Sequence, residues 1–315
     1  MVAVLAGMAF LYFLVPNIPV LVILILIMLM IGVGEGTLDV GANALLVWVH
    51  KRQVGPYMNA LHFFFGIGTF IGPVIIAQSL LYTNGITAAY WILGICALPV
   101  AFWLVRLPSP AAEVQVKTEV NDRSPGWLVG LIVLFFFLYV GAEVGFAGWI
   151  STYSITLELT TQTSAAYLTS LFWGSFTLGR LVGIPIATRF QARTILSADL
   201  AGCVISLLIL LIWPTSPIAL VIGTIGTGLS MASIFPTMLI WAERQMHISG
   251  KTAGYFFMGA GAGGMFVPLL IGLLFQRRGP GVTIWIILAD TLFSVLVYMI
   301  LVIYNRAFKR QLSAV

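Results

Sequence analysis

The sequence predicts an all-α integral membrane protein whose ten transmembrane helices form two bundles. Three observations predict it. Of its 315 residues, 60% are hydrophobic and only 8% are charged, whereas a soluble domain carries roughly 25% charged residues. Ten apolar runs approach the length of about 20 residues that a helix needs to cross a bilayer. And the basic residues gather on one side of the membrane if successive helices alternate in direction.

The first run, 1–16, is short and opens at Met1 with neither a basic flank nor a small-residue cleavage site, so it reads as a helix and not as a signal peptide. Three more follow at 19–48, 57–82 and 86–106. The stretch 107–125 contains Pro108, Pro110, Glu113, Lys117, Glu119, Asp122, Arg123 and Pro125. It is too polar for lipid and reads as a cytoplasmic linker. Six further runs occupy 126–153, 164–188, 194–213, 217–242, 252–276 and 282–304. The expected division is an N-terminal bundle over 1–106, the linker over 107–125, and a C-terminal six-helix bundle over 126–315.

With the linker on the cytoplasmic side, Lys51, Arg52, Arg106, Lys117, Arg123, Arg189, Arg193, Arg244, Lys251, Arg306, Lys309 and Arg310 are all cytoplasmic. These are twelve of the fifteen Lys and Arg residues, and the opposite loops at 16–19, 83–85 and 214–216 carry none. This is the positive-inside pattern. It puts the C-terminus in the cytoplasm, and it accounts for the net charge of +5 without nucleic acid as a partner.

The two bundles resemble each other. Gly66-Ile-Gly68…Gly72-Pro73 matches Gly261-Ala-Gly263…Val267-Pro268 at an offset of 195, and Gly32-Val-Gly34 matches Gly226-Thr-Gly228 at 194. Each of the second pair is followed by a tryptophan and a basic cluster, Trp48 with Lys51 and Arg52, and Trp241 with Arg244. A near-constant offset across two helices and their loop points to a parallel internal repeat, a known transporter architecture. The same offset carries the runs at 126–153 and 164–188 to positions before Met1. The pattern expected is thus two six-helix repeats, the first lacking its two leading helices.

An ionisable side chain deep in lipid costs at least ~2.5–3.5 kcal/mol, so each needs a reason. Glu35, Asp39 and Asn43 follow one another at four-residue spacing, which stacks them on one helix face. That face needs protein or water beside it. A carboxyl at the depth of Asp39 can load a proton on one side of the membrane and release it on the other; the plainer alternative is a hydrogen bond to a neighbouring helix. Glu143 stands in Gly141-Ala-Glu143-Val-Gly145-Phe-Ala-Gly148-Trp149, where glycines allow close approach by a helix or ligand. With Trp149 and Tyr153 it forms a set suited to a hydroxylated, partly apolar ligand such as a sugar, although both aromatics also fit an interfacial belt. Arg180 reads as a partner for a carboxylate, or as a residue that snorkels to the surface. Asp199 lies within sequence reach of Arg193 and reads as a cap or gate partner, while Asp290 shows no stripe. Gly72-Pro73, Pro236 and Pro268 are expected to bend their helices.

Other chemistry lacks its residues. Cys96 and Cys203 each stand alone inside an apolar run, and His50, His62 and His247 are scattered. No His-Glu-x-x-His, Gly-x-Ser-x-Gly or Walker loop occurs. The expectation is neither an enzyme nor an ATP-driven pump, with no cofactor and no metal.

The segments Gly34-Glu-Gly36-Thr-Leu-Asp39-Val-Gly-Ala-Asn43 and Gly55-Pro-Tyr-Met-Asn59-Ala-Leu-His62-Phe-Phe-Phe-Gly66 resemble the major facilitator superfamily. Within it they are most similar to the branch of fucose–proton symporters and sodium-dependent glucose transporters. The resemblance implies a major-facilitator-type two-bundle fold in which this chain supplies the third to twelfth helices, leaving the N-terminal bundle incomplete. It implies that Asp39 matches the fourth-helix acid that fucose symporters use in proton coupling and sugar transport, and that Asn43 and Asn59 match polar positions nearby. The family's first, fourth, seventh and tenth helices line its cavity. Their equivalents here carry Asp39, Glu143 and the run from Gly226 to Pro236. The chain departs from the family by having no counterpart of the first-helix acid or of the Gly-x-x-x-Asp-Arg loop after the second helix. The repeat copy of that loop is the degenerate Ala187-Thr-Arg189-Phe-Gln-Ala-Arg193, and the antiporter-type motif is partial, as Gly68-x-x-x-Gly72-Pro73.

The leading expectation is a secondary active transporter for a sugar or similar small polar solute, coupled to protons or sodium, whose bundles rock about a central site. Asp39, Glu35, Asn43, Glu143, Asn59 and Trp149 would bind solute or ion, and Arg180, Arg189, Arg193, Gly72 and Pro73 would serve structure or gating. The expected partners are the solute, the coupling ion and the bilayer of a cell membrane (compact loops suit a bacterial inner membrane), with the protein a monomer. The competing readings are a drug or metabolite exporter of the same fold and a truncated membrane protein that does not transport.

Overall fold

The computed structural model describes residues 1–50, 54–107, 125–246 and 248–312. The predicted linker, apart from its two end residues, and the basic residues Lys51, Arg52, Lys117 and Arg123, as well as His247, lie outside the described residues. Every regular element described is helical, as the uninterrupted apolar runs require. A backbone in hydrocarbon must satisfy its own N–H and C=O groups, and the helix does so within one segment.

The chain divides into two compact units, Met1–Lys117 and Thr118–Val315. The first contains α1 (Val2–Leu14), extended by a 3-10 turn at Val15–Asn17, then α2 (Leu21–His50), α3 (Val54–Thr83) and α4 (Thr87–Val105). α1 packs on α2 and α4, and α3 on α2 and α4. A small core of Met8, Val15, Ile27 and Ile31 forms under α1. Leu21, Val22, Leu29, Met30 and Val40 of α2 stay exposed. Ser79 closes the α3–α4 turn by donating to the Gly85 carbonyl at 2.6 Å and accepting from the Ala89 N–H at 3.2 Å.

The second unit contains α5 (Gly126–Thr156), α6 (Gln162–Arg189), α7 (Ala192–Ile212), α8 (Pro217–Met231), α9 (Ile234–Glu243), α10 (Gly250–Arg278) and α11 (Val282–Leu312). α5 packs along α10 and α11, α6 along α8, and α7 along α8, α9 and α11. Its core is one continuous cluster in which Phe135, Phe136, Phe146, Phe172, Leu196, Leu207 and Phe256 are fully enclosed. The closest approach joins α5 and α10. A Cβ at Gly259 would stand 2.8 Å from the Val133 carbonyl oxygen, and one at Gly263 would fall on the carbonyl of Phe137.

Nine described segments are long and apolar enough to cross a membrane, and Val2–Asn17 is a shorter apolar helix beside them. The run read at 217–242 is one span, Pro217–Glu243, but it is two helices. α8 ends at Met231, and α9 begins at Ile234 with Pro236 in its first turn. Proline has no N–H, so the Ala232 carbonyl lacks the donor that a continuing helix would offer four residues on. Pro73 and Pro268, by contrast, lie inside continuous α3 and α10. The helix starts repeat near the sequence offset, those of α1 to α4 being matched in order by those of α7, α8, α10 and α11 at separations of 190 to 196 residues.

Candidate functional site

The stripe on α2 forms as its spacing requires. The Asn43 side-chain amide donates to the Asp39 carboxylate at 3.0 Å and to its backbone carbonyl at 2.9 Å. Tyr12 of α1 donates to Glu35 at 3.4 Å. Asp39 and Glu35 are otherwise exposed. In hydrocarbon each would cost at least ~2.5–3.5 kcal/mol, so this face meets water or protein. Asn59 lies on α3, with its side chain outside the described set, and Gly72 and Pro73 stand half-buried farther along the same helix.

The denser polar cluster is in the second unit, around the break between α8 and α9. Glu143 and Tyr139 lie four residues apart on α5 and so share a face. The Tyr139 hydroxyl sits 2.5 Å from Glu143 Oε2 and 2.8 Å from the carbonyl of Met231, the last residue of α8. Two residues beyond, Ser233 donates to the Asp199 carboxylate of α7. Each side of the break is thus tied to a different helix, the Met231 side to α5 through Tyr139 and the Ser233 side to α7 through Asp199. Arg180 of α6 lays its guanidinium over the Phe176 ring, 4.5 Å from its centre. Its charge acts on both Glu143 and Tyr139, and Cys203 of α7 lies within electrostatic reach of Glu143 and Asp199.

The break can sit among these helices because small residues bring them together. A Cβ at Gly228 would stand 2.6 Å from the Phe172 carbonyl oxygen, and one at Gly179 would stand 2.8 Å from that of Leu229. α6 and α8 therefore run backbone to backbone immediately before the break, which places Arg180 beside it.

Other residues singled out in the sequence fall elsewhere. Trp149 is half-buried, donates its indole N–H to the Pro268 carbonyl at 3.1 Å and packs on Phe275. Its polar handle is thus taken by α10, and Tyr153 is buried in the core. Arg189 ends α6 in an exposed position, and the Arg193 carbonyl accepts from Tyr298 at 2.9 Å. Asp199 meets Ser233, not the Arg193 that its sequence position suggested. Asp290 is 9% exposed, and its Oδ2 has no hydrogen-bond partner; it lies against Gly141, where a Cβ would stand 3.2 Å from that oxygen.

Sequence reasoning passed over Tyr139, Ser233 and the Met231 carbonyl. The four-residue spacing of Tyr139 and Glu143 was a usable signal. The contact between Asp199 and Ser233 depends on how α7 packs and left none.

The family model of the Major Facilitator Superfamily matches residues 1–268. The chain is 31% identical to Sodium-dependent glucose transporter 1 of Xenopus laevis over 87% of this chain and 61% of that protein. It is 30% identical to the Homo sapiens protein of the same name, over 83% of this chain and 58% of that protein. The chain therefore spans about three fifths of the length of these relatives. Among solved structures, the transporter FucP in its outward conformation superposes with a TM-score of 0.59 at 19% identity, over 93% of this chain and 81% of that one. A bacterial homologue of the lysosomal transporter Spinster gives a TM-score of 0.56 at 14% identity, over 98% of this chain and 82% of that one.

Proposed function

The chain belongs to the Major Facilitator Superfamily, and on that premise we propose that it is a secondary transporter moving a sugar or similar small polar solute by alternating access. A proton or sodium gradient would drive it. Two of its relatives are named as sodium-dependent glucose transporters, which supports both the solute class and the ion coupling. It would work in a cell membrane with its C-terminus on the cytoplasmic side, the side to which the basic residues assign it.

The observation that carries the reading is Glu143. It stands in the middle of a 31-residue helix, where an acid is expensive, and it is engaged with Tyr139 at a break in another span. An acid placed so can exchange its partner when its charge changes, which is what ion coupling requires. In this proposal Asp39, Glu35, Asn43 and Asn59 contribute polar groups to the path of solute or ion in the first unit. Trp149 offers a solute only its ring face. Arg180 brings a positive charge near Glu143, Arg189 and Arg193 sit at the cytoplasmic ends, and Gly72-Pro73 allows α3 to yield.

The test is uptake of labelled glucose and fucose into proteoliposomes holding the full chain, under imposed sodium and proton gradients. We expect accumulation above equilibrium in wild type, and only equilibration or none with Glu143→Gln. Accumulation by Glu143→Gln at the wild-type level would refute the coupling role, and a wild type inert towards both glucose and fucose under both gradients would refute the assignment to these sugars.

A further inference from the structure

The Tyr139 hydroxyl has two oxygen neighbours and one hydrogen. The Met231 oxygen belongs to a carbonyl, which can only accept, and Tyr139 approaches it at 2.8 Å. The other neighbour, Glu143 Oε2, is at 2.5 Å. If Glu143 is ionised, both neighbours are acceptors and the single phenolic hydrogen can serve one of them well. The remaining oxygen then faces a lone pair at hydrogen-bond distance. If Glu143 carries a proton, its O–H donates to Tyr139, Tyr139 donates to Met231, and every group is satisfied. Tyr139 is 2% exposed, so water offers no alternative partner. An unsatisfied buried carbonyl costs ~1–3 kcal/mol.

We propose that Glu143 is a proton-binding site whose occupancy is transmitted through Tyr139 to the break between α8 and α9. With the proton bound, the chain Glu143 to Tyr139 to the Met231 carbonyl clasps the end of α8. When the proton leaves to water, the carboxylate attracts the Tyr139 hydrogen and the guanidinium of Arg180. The Met231 carbonyl is then released, and the break is held from one side only, by Asp199 and Ser233. The charged groups around Glu143 fit such an exchange. Arg180 faces it from α6, and Cys203, with Asp199 beyond it, from α7. Asp290 of α11 lies against Gly141 of the same helix. The charges of α10 are Lys251, Arg277 and Arg278 near its ends, and α9 carries Glu243 at its last position. This inference deepens the proposed coupling role of Glu143 and rests on it for its purpose, but its test needs no solute.

The full chain in nanodiscs is titrated while two signals are followed. One is the infrared carbonyl stretch of protonated carboxylic acids; the other is a nitroxide at Leu229→Cys, on the exposed side of α8 before the break, in a Cys96→Ala background. Wild type should show an acid band that vanishes as pH rises, together with a change in label mobility at the same midpoint. Glu143→Gln, whose amide can still donate to Tyr139, should lose that band and hold the label in its low-pH state. Tyr139→Phe should keep a titrating band and lose the label's response. Should Glu143→Gln fail to fold, Glu143→Asp should displace the band and its midpoint. A wild type with no titrating acid band sensitive to position 143 overturns the proposal, and so does a label response that survives in Tyr139→Phe. Transport could fail for the sugars tested while both signals behave as stated, so the two readings fall separately.

Discussion

A methyl group added at Gly263 has nowhere to go. Its Cβ would land on the backbone carbonyl of Phe137, and the only relief is separation of α5 and α10 along their whole contact. Gly261, two residues earlier on the same helix, is exposed, and a Cβ there meets nothing within 4 Å. The pair is a controlled comparison, since both changes are Gly→Ala inside one helix. At Gly261 the change should stabilise by ~0.5–1 kcal/mol through the helix preference of alanine. At Gly263 the same gain is outweighed by overpacking, which costs ~1–3 kcal/mol or more where backbone must move. Because the helix gain is common to both, the two variants should differ by the overpacking cost, about 1–3 kcal/mol. For a unit of this size that corresponds to roughly 3–10 °C in melting midpoint. Thermal unfolding in detergent, read by intrinsic tryptophan fluorescence, measures it. Gly263→Ala melting no lower than Gly261→Ala would refute the close pairing of α5 and α10.

Three further outcomes follow from the same contacts. Trp149→Phe keeps a ring against Phe275 but loses the bond to Pro268, so stability should fall by about 1 kcal/mol; an unchanged melting midpoint would count against that bond. Asp290→Val removes the unpartnered oxygen at similar volume, and stability should stay level or rise by about 1 kcal/mol. A clear loss on that change would mean that the carboxyl has a partner. In a Cys96→Ala background, Asp39→Cys should react with a membrane-impermeant thiol reagent far faster than Val40→Cys, although both positions are exposed. Equal rates would place the acidic stripe against lipid.

The helices were legible because the bilayer's demand is one-dimensional, asking only for a length of apolar chain. The run read at 86–106 is the helix Thr87–Val105, and that at 194–213 is Ala192–Ile212. The break in the span Pro217–Glu243 was only half legible. Pro236 announced an irregularity there, but an equivalent proline leaves α10 continuous. What separates the two cases is the surroundings. Residues beside the break are held by Tyr139 and Asp199 from other helices, whereas the Pro268 carbonyl is met by Trp149 within an unbroken helix. A proline states which hydrogen bond is missing, and only packing states who replaces it.

The same asymmetry runs through the site. Glu143 and Asp39 could be picked out singly, since a carboxyl in an apolar run carries its cost on its face. Tyr139 could not, because a tyrosine in such a run reads as core or interface until its hydroxyl has a partner, and one of its partners lies 92 residues away. Yet in the proposed coupling it is Tyr139 that turns a costly acid into part of a mechanism. Glu143 alone could gain or lose a proton without consequence for the backbone. Joined to the Met231 carbonyl through one shared hydrogen, it holds a span at the point where that span lacks its own hydrogen bonds. Irregular backbone at membrane depth persists only where other groups satisfy it, and in the proposed coupling a change in what Glu143 accepts or donates is therefore felt at the break.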